Sequence, residues 1–184
     1  LGCSTGESIK NICKLNTNTK FKIIGYDSSK KMIELAKKKI NIKKLKKDGI
    51  DIELKTTDIL KIKKFKKSDL FLSILFFPFI NFVNRQRILK KIYDSLNPGG
   101  GFVLVEKIRS KDSNFEDMLN QMYFDFKLRN NLSEQEILKK SKSLRSSMHL
   151  FSEQTAKNLL KKTGFSKQEV FFKCLNFIGY VAIK

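Results

Sequence analysis

The run Leu70–Phe77 constrains this chain more than any other stretch of it, because seven of its eight residues are apolar and only Ser73 interrupts them. A run that short and that continuous reads as a strand buried on both faces, the habit of a parallel sheet with helices packed on either side. Parallel neighbours need long crossovers, so helical segments are expected between the strands. The flanking sequence supplies them. Phe21–Tyr26 is a short apolar run that ends at Asp27, and Ser28–Lys39 then carries Met32, Ile33, Leu35, Ala36 and Ile40 at helical spacing. Ser28 or Ser29 suits the N-cap, where a hydroxyl can accept a free first-turn amide. Ile50–Leu54 alternates as a strand does.

Further along, Arg85–Leu96 has helical spacing and is stopped by Asn97-Pro98-Gly99-Gly100-Gly101, a loop that resets the chain into the strand Phe102–Glu106. Helices are predicted over Asn114–Leu128, Ser133–Ser147 and Ser152–Lys162, the last capped by Ser152 and ended by Thr163-Gly164. Val170–Asn176 and Ile178–Ile183 read as a closing antiparallel pair. The order predicts an α/β fold with a doubly wound, mostly parallel sheet, right-handed crossovers and a C-terminal antiparallel strand pair. One domain over residues 1–184 is expected, since that length holds a single sizeable core.

Composition enters through charge. Lys+Arg number 38 against 18 Asp+Glu, a formal +20. Such an excess points toward nucleic acid, a membrane surface or small anions. Only Arg85, Arg87, Arg109, Arg129 and Arg145 are arginines, however, and arginine supplies the planar forks that phosphate and base recognition favour. A lysine-rich chain also rich in Ile, Asn and Phe fits a genome biased toward A and T codons. Lys43–Lys47 and Lys61–Lys67 are expected in solvated connections. No run approaches the roughly 20 apolar residues of a membrane span, so no membrane partner is expected. Cys3, Cys13 and Cys174 are scattered, and His149 is alone, so neither a disulfide framework nor a metal site is expected. A reducing, cytoplasmic setting follows. The chain begins at Leu1, inside what reads as a motif, and is expected to be a piece lacking its N-terminal part.

Four short motifs carry chemistry. Leu1-Gly2-Cys3-Ser4-Thr5-Gly6 has the small residues of a strand-to-helix turn that lets a ligand approach the backbone amides. Asp27 follows at the end of the next strand, the position from which a carboxylate accepts ribose hydroxyls. Asp58, with Ile59 beside it, follows the Ile50–Leu54 strand and suits an adenine amino group with an apolar neighbour on the ring. The Asn97–Gly101 loop is structural.

In this order the features resemble the class I S-adenosylmethionine-dependent methyltransferases, with their Rossmann-like sheet. The narrower likeness is to the carboxy-S-adenosyl-L-methionine synthase family. It rests on Gly2-Cys3-Ser4, on Tyr26-Asp27-Ser28 with Met32-Ile33-Glu34, on Lys91-Ile92-Tyr93 through Gly100, and on Glu106-Lys107. Asp125-Phe126-Lys127, Ser133-Glu134-Gln135-Glu136-Ile137 and Phe172-Lys173-Cys174-Leu175-Asn176-Phe177 extend it through the C-terminal half. The resemblance implies a transferase that converts S-adenosyl-L-methionine and prephenate into carboxy-S-adenosyl-L-methionine and phenylpyruvate. It implies a homodimer, and a product used by a partner enzyme for the oxyacetyl modification of tRNA wobble uridine. Gly2, Cys3 and Ser4 would touch the cofactor's methionine part, Asp27 and Ser28 its ribose, and Asp58 and Ile59 its adenine. No strong base is required; positioning and cationic groups for carboxylates are.

Three departures accompany the likeness. The family's N-terminal helical extension and first strand are missing, which would leave strand edges and apolar faces uncovered. Ile74 stands where the family has a cofactor-contacting Asn, with Ser73 adjacent. Ser141 stands where the family has the Arg that grips the carboxymethyl carboxylate, with Lys142 and Arg145 as candidate substitutes, Arg145 one helical turn on. Two other functions stay open. One is an ordinary methyltransferase or an inactive cofactor-binding relative. The other is a basic RNA-binding module, disfavoured because no Arg-rich or aromatic-interleaved patch is present.

Overall fold

The computed structural model describes residues 1–15 and 19–184, which form two compact units, Leu1–Lys64 and Phe65–Lys184. The first unit runs α1 (Glu7–Lys14), β1 (Phe21–Asp27), α2 (Lys30–Lys39), α3 (Ile42–Lys47) and β2 (Ile50–Thr56), then a single 3-10 turn at Ile59–Lys61. Strands β1 and β2 pair in parallel, from Phe21 opposite Ile50 to Asp27 opposite Thr56. Of the two candidate caps, Ser29 holds α2, its hydroxyl accepting the Met32 amide at 3.3 Å. Spacing of three and four residues puts Ile33, Ala36 and Ile40 on one face. Ala36 and Ile40 pack with Ile9, Ile50 and Ile52 to make this unit's core.

The lysines 43–47, expected in an open connection, lie instead in the short helix α3. Ile42 and Leu45, three residues apart, give that helix an apolar edge that packs on the same core. Asn41 caps it by accepting the Lys44 amide at 3.1 Å. A lysine run therefore hides a helix whose signal is only two residues wide.

The second unit contains β3 (Ser68–Ile74), a 3-10 turn at Phe77–Phe79, α4 (Phe82–Ser95), β4 (Leu96–Lys107), α5 (Ser113–Arg129), α6 (Glu134–Ser143), α7 (Glu153–Lys162), β5 (Lys167–Cys174) and β6 (Phe177–Ile183). Its sheet has the order β3-β4-β6-β5. Strand β3 is parallel to β4, whereas β6 is antiparallel to both β4 and β5, so the closing pair has the expected sense. An aromatic core sits against this sheet. Phe102 lies between Phe77 and Phe165, with ring centroids 6.1 and 5.7 Å away, and Tyr93 meets Phe165 edge-on at 5.1 Å. Gly164 admits that packing: its φ is +117°, and a Cβ there would stand 2.8 Å from the Tyr93 ring.

Three expectations change in this unit. The Leu70–Phe77 run is not one strand buried on both faces. It bends after Ile74 through Leu75, whose φ is +56°, and Phe77 enters the 3-10 turn. Within β3, Phe71 and Ser73 are buried while Leu70 and Ile74, on the opposite face of the strand, are exposed, and β3 is an edge of its sheet. The Asn97–Gly101 segment is part of β4 rather than a free loop. The register slips there, from Ser68 opposite Leu96 to Leu70 opposite Gly101, and Gly99 takes a φ of +75°. Finally, α6 begins at the expected cap, Ser133, which forms a reciprocal capping box with Glu136, but ends at Ser143 rather than Ser147. Among the described residues no helix is long and apolar enough to cross a membrane.

Candidate functional site

The residues singled out in the first unit meet around Asp27. The chain from Gly2 to Gly6 makes a tight turn in which Gly2, Ser4 and Gly6 all have positive φ, at +63°, +47° and +80°. The Cys3 amide donates to the Tyr26 carbonyl at 2.9 Å, which seats the turn on the end of β1. Asp27 completes the fastening: its Oδ2 accepts the Ser4 amide at 2.8 Å and its Oδ1 accepts the Ser29 amide at 2.9 Å. A carboxylate offers about four lone-pair directions, so two remain for a ligand's hydroxyls.

Two glycines make room for this arrangement. A Cβ on Gly25 would stand 2.8 Å from Leu54 Cδ2, 3.0 Å from Ile9 Cδ1 and 3.1 Å from Cys3 Sγ. One on Gly6 would stand 2.7 Å from Ile40 Cδ1, at a φ that already disfavours side chains. Gly6 is also the N-cap of α1 and provides no side-chain acceptor, so the first-turn amides of α1 are left for a ligand or solvent. Cys3 is half-buried, and burial, with the Asp27 carboxylate adding to it, pushes its thiol up. The raised thiol favours its neutral form at ordinary pH.

Asp58 lies just beyond β2, beside the same end of the sheet. The Thr57 amide donates to the Asp27 carbonyl at 2.8 Å, which ties the two strand ends together. Asp58 Oδ1 accepts the Leu60 amide at 2.9 Å and so caps its own turn, leaving Oδ2 for a donor. Ile59 is buried, and the exposed apolar neighbour of Asp58 is Leu60. Ser28 is exposed at the mouth of the turn. Gly2, Cys3, Ser4, Asp27, Ser28, Asp58 and Ile59 thus occupy one end of the two-stranded sheet. A left-handed turn close to the sheet, unclaimed amides and two carboxylates with spare acceptor positions fit a nucleoside carrying hydroxyl and amino donors.

The remaining candidates belong to the second unit. Ile74 ends β3 and is 40% exposed. Ser141 and Lys142 lie on the last turn of α6 and are exposed. Arg145 falls past the helix end, its amide donating to the Lys142 carbonyl at 3.3 Å, so it does not continue the α-helical face of Ser141. Neither Lys142 nor Arg145 has a carboxylate at ion-pair distance among the described residues.

Sequence reasoning missed a buried ion pair in this unit. Arg85 Nη1 donates to Glu106 Oε2 at 2.8 Å, with side chains 2% and 1% exposed. The guanidinium also donates to the Ile80 carbonyl at 2.9 Å and the His149 carbonyl at 2.6 Å, and stacks 4.0 Å over the Phe151 ring. Burial pushes Glu106 up and Arg85 down, and each is pulled back by the other. A signal for it existed. Glu106 falls on the same strand face as Phe102 and Leu104, and Arg85 on the helix face of Ile88, Leu89 and Ile92. Charges at core positions call for each other.

The chain was compared with known proteins. The family model described as "Methyltransferase domain" matches residues 1–100. A carboxy-S-adenosyl-L-methionine synthase of Histophilus somni is 38% identical over 184 residues, covering 100% of this chain and 75% of its own length. The synthase of Staphylococcus epidermidis is 36% identical, covering 100% and 77%. Among solved structures, human N-acetylserotonin methyltransferase in complex with S-adenosylmethionine aligns with a TM-score of 0.67 at 16% identity, covering 100% of this chain and 46% of the human one. A plantazolicin methyltransferase solved with S-adenosylhomocysteine aligns with a TM-score of 0.68 at 18% identity, covering 100% and 74%. The structural likenesses speak for the fold alone.

Proposed function

This chain belongs to the carboxy-S-adenosyl-L-methionine synthase family of the class I S-adenosylmethionine-dependent methyltransferase superfamily, and we propose that it makes carboxy-S-adenosyl-L-methionine and phenylpyruvate from S-adenosyl-L-methionine and prephenate. One observation carries the reading. The general methyltransferase model accounts for residues 1–100, whereas the synthase relatives align over the whole chain, so what residues 101–184 share is shared with synthases.

The cofactor supplies an activated sulfonium methyl group. The chain's own residues hold it. Asp27 accepts ribose hydroxyls with its two spare lone pairs, Asp58 Oδ2 accepts an adenine amino group, and the turn Gly2-Cys3-Ser4 presents backbone to the methionine part. No side chain of this cradle is poised as a strong base: burial holds the Cys3 thiol in its protonated form, and Asp27 and Asp58 are carboxylates already accepting backbone amides. Catalysis by position and charge needs none. The same proposal has the product used for wobble-uridine modification of tRNA by another enzyme, with this chain cytoplasmic, binding no tRNA and acting as a homodimer, a state that light scattering reads directly.

A second reading has one residue in its favour. Ser141 stands where the family has a carboxylate-gripping Arg, which favours a cofactor-binding relative or plain methyltransferase that has lost carboxylation. Incubating the protein with S-adenosyl-L-methionine, with and without prephenate, and weighing the nucleoside products separates these. A carboxylated product that requires prephenate supports the synthase. Binding without conversion supports the second reading, and no cofactor binding sinks both.

A further inference from the structure

Three sequence motifs that carry the family likeness converge in the second unit. They are Glu106-Lys107 at the end of β4, Asp125-Phe126-Lys127 near the end of α5, and Asn176-Phe177 at the start of β6. Lys107 and Phe177 are directly opposed across β4 and β6. Tyr123 stands over them from α5, its ring edge-on to Phe177 with centroids 5.0 Å apart. Two ammonium groups gather on that tyrosine: Lys127 Nζ lies 4.0 Å from the ring centroid and Lys107 Nζ 5.4 Å from it.

Helix α5 is turned the unexpected way to achieve this. Glu116, Leu119, Tyr123, Lys127 and Leu128 are its half-buried residues, while Phe115, Met118, Met122 and Phe126 are exposed. Ordinary amphipathicity would bury the second set. Holding two half-buried ammonium groups beside one ring opposes solvation and Coulomb repulsion together. Burial lowers the affinity of Lys107 for its proton. Burial and then the neighbouring Lys107 do the same to Lys127.

The protein compensates the pair only in part: the charge of the Glu116 carboxylate supports the protonated form of Lys107 without an ion-pair contact, and among the described residues no carboxylate does the same for Lys127. Among the described residues neither lysine has a carboxylate at ion-pair distance. The nearby Glu116 is committed elsewhere, its Oε2 accepting the Ser110 amide at 2.7 Å and its Oε1 the Asn120 side-chain amide at 3.2 Å. That commitment fixes a chain of orientations. Asn120 gives its NH2 to Glu116, so its Oδ1 faces Asn176, which donates to it at 3.0 Å. Asn176 Oδ1 is then left without a donor although Asn176 is buried, its backbone carbonyl already taken by the Ile108 amide at 2.7 Å. Two half-buried cations gathered on one ring, neither with a carboxylate at ion-pair distance among the described residues, describe a site that an anion completes.

We propose that Lys107, Tyr123 and Lys127 form a binding site for a carboxylate group of an organic acid, the second substrate of the reaction. The identity of that acid as prephenate rests on the synthase reading; the carboxylate site does not. Two ammonium groups match the two oxygens of a carboxylate, and a charge-assisted contact of this kind is worth about tenfold or more in affinity.

Calorimetric binding of prephenate, malonate and inorganic phosphate to the wild-type protein, to Lys107→Met and to Lys127→Met tests it, with S-adenosyl-L-methionine affinity measured alongside. Methionine keeps the aliphatic stem over Tyr123 and removes only the charge. The expected result is that prephenate and malonate bind the wild type, that each variant weakens them about tenfold or more, and that cofactor affinity stays constant. Carboxylate affinity unchanged in both variants overturns the site, as does phosphate binding as tightly as malonate, or a wild type that binds no carboxylate. A wild type that binds prephenate through these lysines but yields no carboxylated nucleoside overturns the synthase reading and leaves the site standing.

Discussion

The Asp27 carboxylate spans two segments that are 23 residues apart in sequence on one side and two on the other, accepting the Ser4 amide at 2.8 Å and the Ser29 amide at 2.9 Å. It therefore shapes the glycine-rich turn before any ligand arrives. A group of this kind preorganises a site, because the amides it aligns need not reorder on binding. Asp27→Asn keeps the shape but presents one oxygen and an NH2 where two acceptors stood. At least one amide loses its partner, at about 1–3 kcal/mol. The expected outcome is S-adenosyl-L-methionine affinity at least about tenfold weaker by calorimetry, with a lowered thermal midpoint.

Gly25→Ala tests the same turn from below. Its Cβ would meet Leu54, Ile9 and Cys3 at 3.1 Å or less, and none of these is the free end of a long exposed chain. Overpacking of this kind costs about 1–3 kcal/mol. The denaturant midpoint should fall and cofactor binding weaken with it, since Cys3 belongs to the turn. Wild-type values for both would contradict the packing described.

Glu106→Gln should cost about 3–5 kcal/mol, because it leaves the Arg85 guanidinium buried without its counter-charge. Chemical denaturation reads this directly. Pairing it with Arg85→Met should recover much of the loss, since removing both charges costs less than stranding one. A double variant as unstable as the sum of the two single ones would mean the pair is not coupled.

Hydrogen bonds and charge from Lys157 and Lys173 hold Glu153 below the usual carboxylate range. A depressed folded-state value means the native state binds fewer protons than the unfolded one. Its contribution is present above the unfolded carboxylate value, near about 4.3, and is lost as pH falls below it. Glu153→Gln should lower the urea midpoint slightly at pH 7, by under about 1 kcal/mol for a partly exposed group, and not at pH 3. An equal loss at both pH values would remove the ionic explanation.

Ser141→Arg should raise the yield of carboxylated product, because it restores a cation where the family places one. Product mass per unit time, at fixed prephenate, is the measurement. Unchanged turnover would mean that Ser141 does not occupy the position the resemblance gives it. Ser141 is exposed on the last turn of α6, so the substitution has room and its effect on folding should be small.

Much of this protein was legible in one dimension because the signals are local. The cap at Ser29, the capping box at Ser133, the stop at Gly164 and the antiparallel sense of the last two strands all follow from residues within a few positions of one another. So does the cradle, since a glycine turn and a carboxylate at the end of the next strand are both short motifs. What escaped was whatever depends on a neighbour distant in sequence. The Leu70–Phe77 run could not reveal that β3 pairs on one side only, nor that Leu75 would turn it. Lys107, Tyr123 and Lys127 were recognisable as motif residues, but not as members of one cluster. Arg85 and Glu106 each sat visibly on a buried face, yet only the packing of α4 on β4 joined them. Periodicity says which face of an element is buried; it does not say what lies opposite. The sequence by itself laid out most of the elements, their order and the short motifs that meet around Asp27. Only the tertiary structure decided which charges meet a counter-charge at hydrogen-bond distance, as Arg85 and Glu106 do, and which gather without one, as Lys107 and Lys127 do on Tyr123, because Coulomb energy depends on distance in space and not on spacing along the chain.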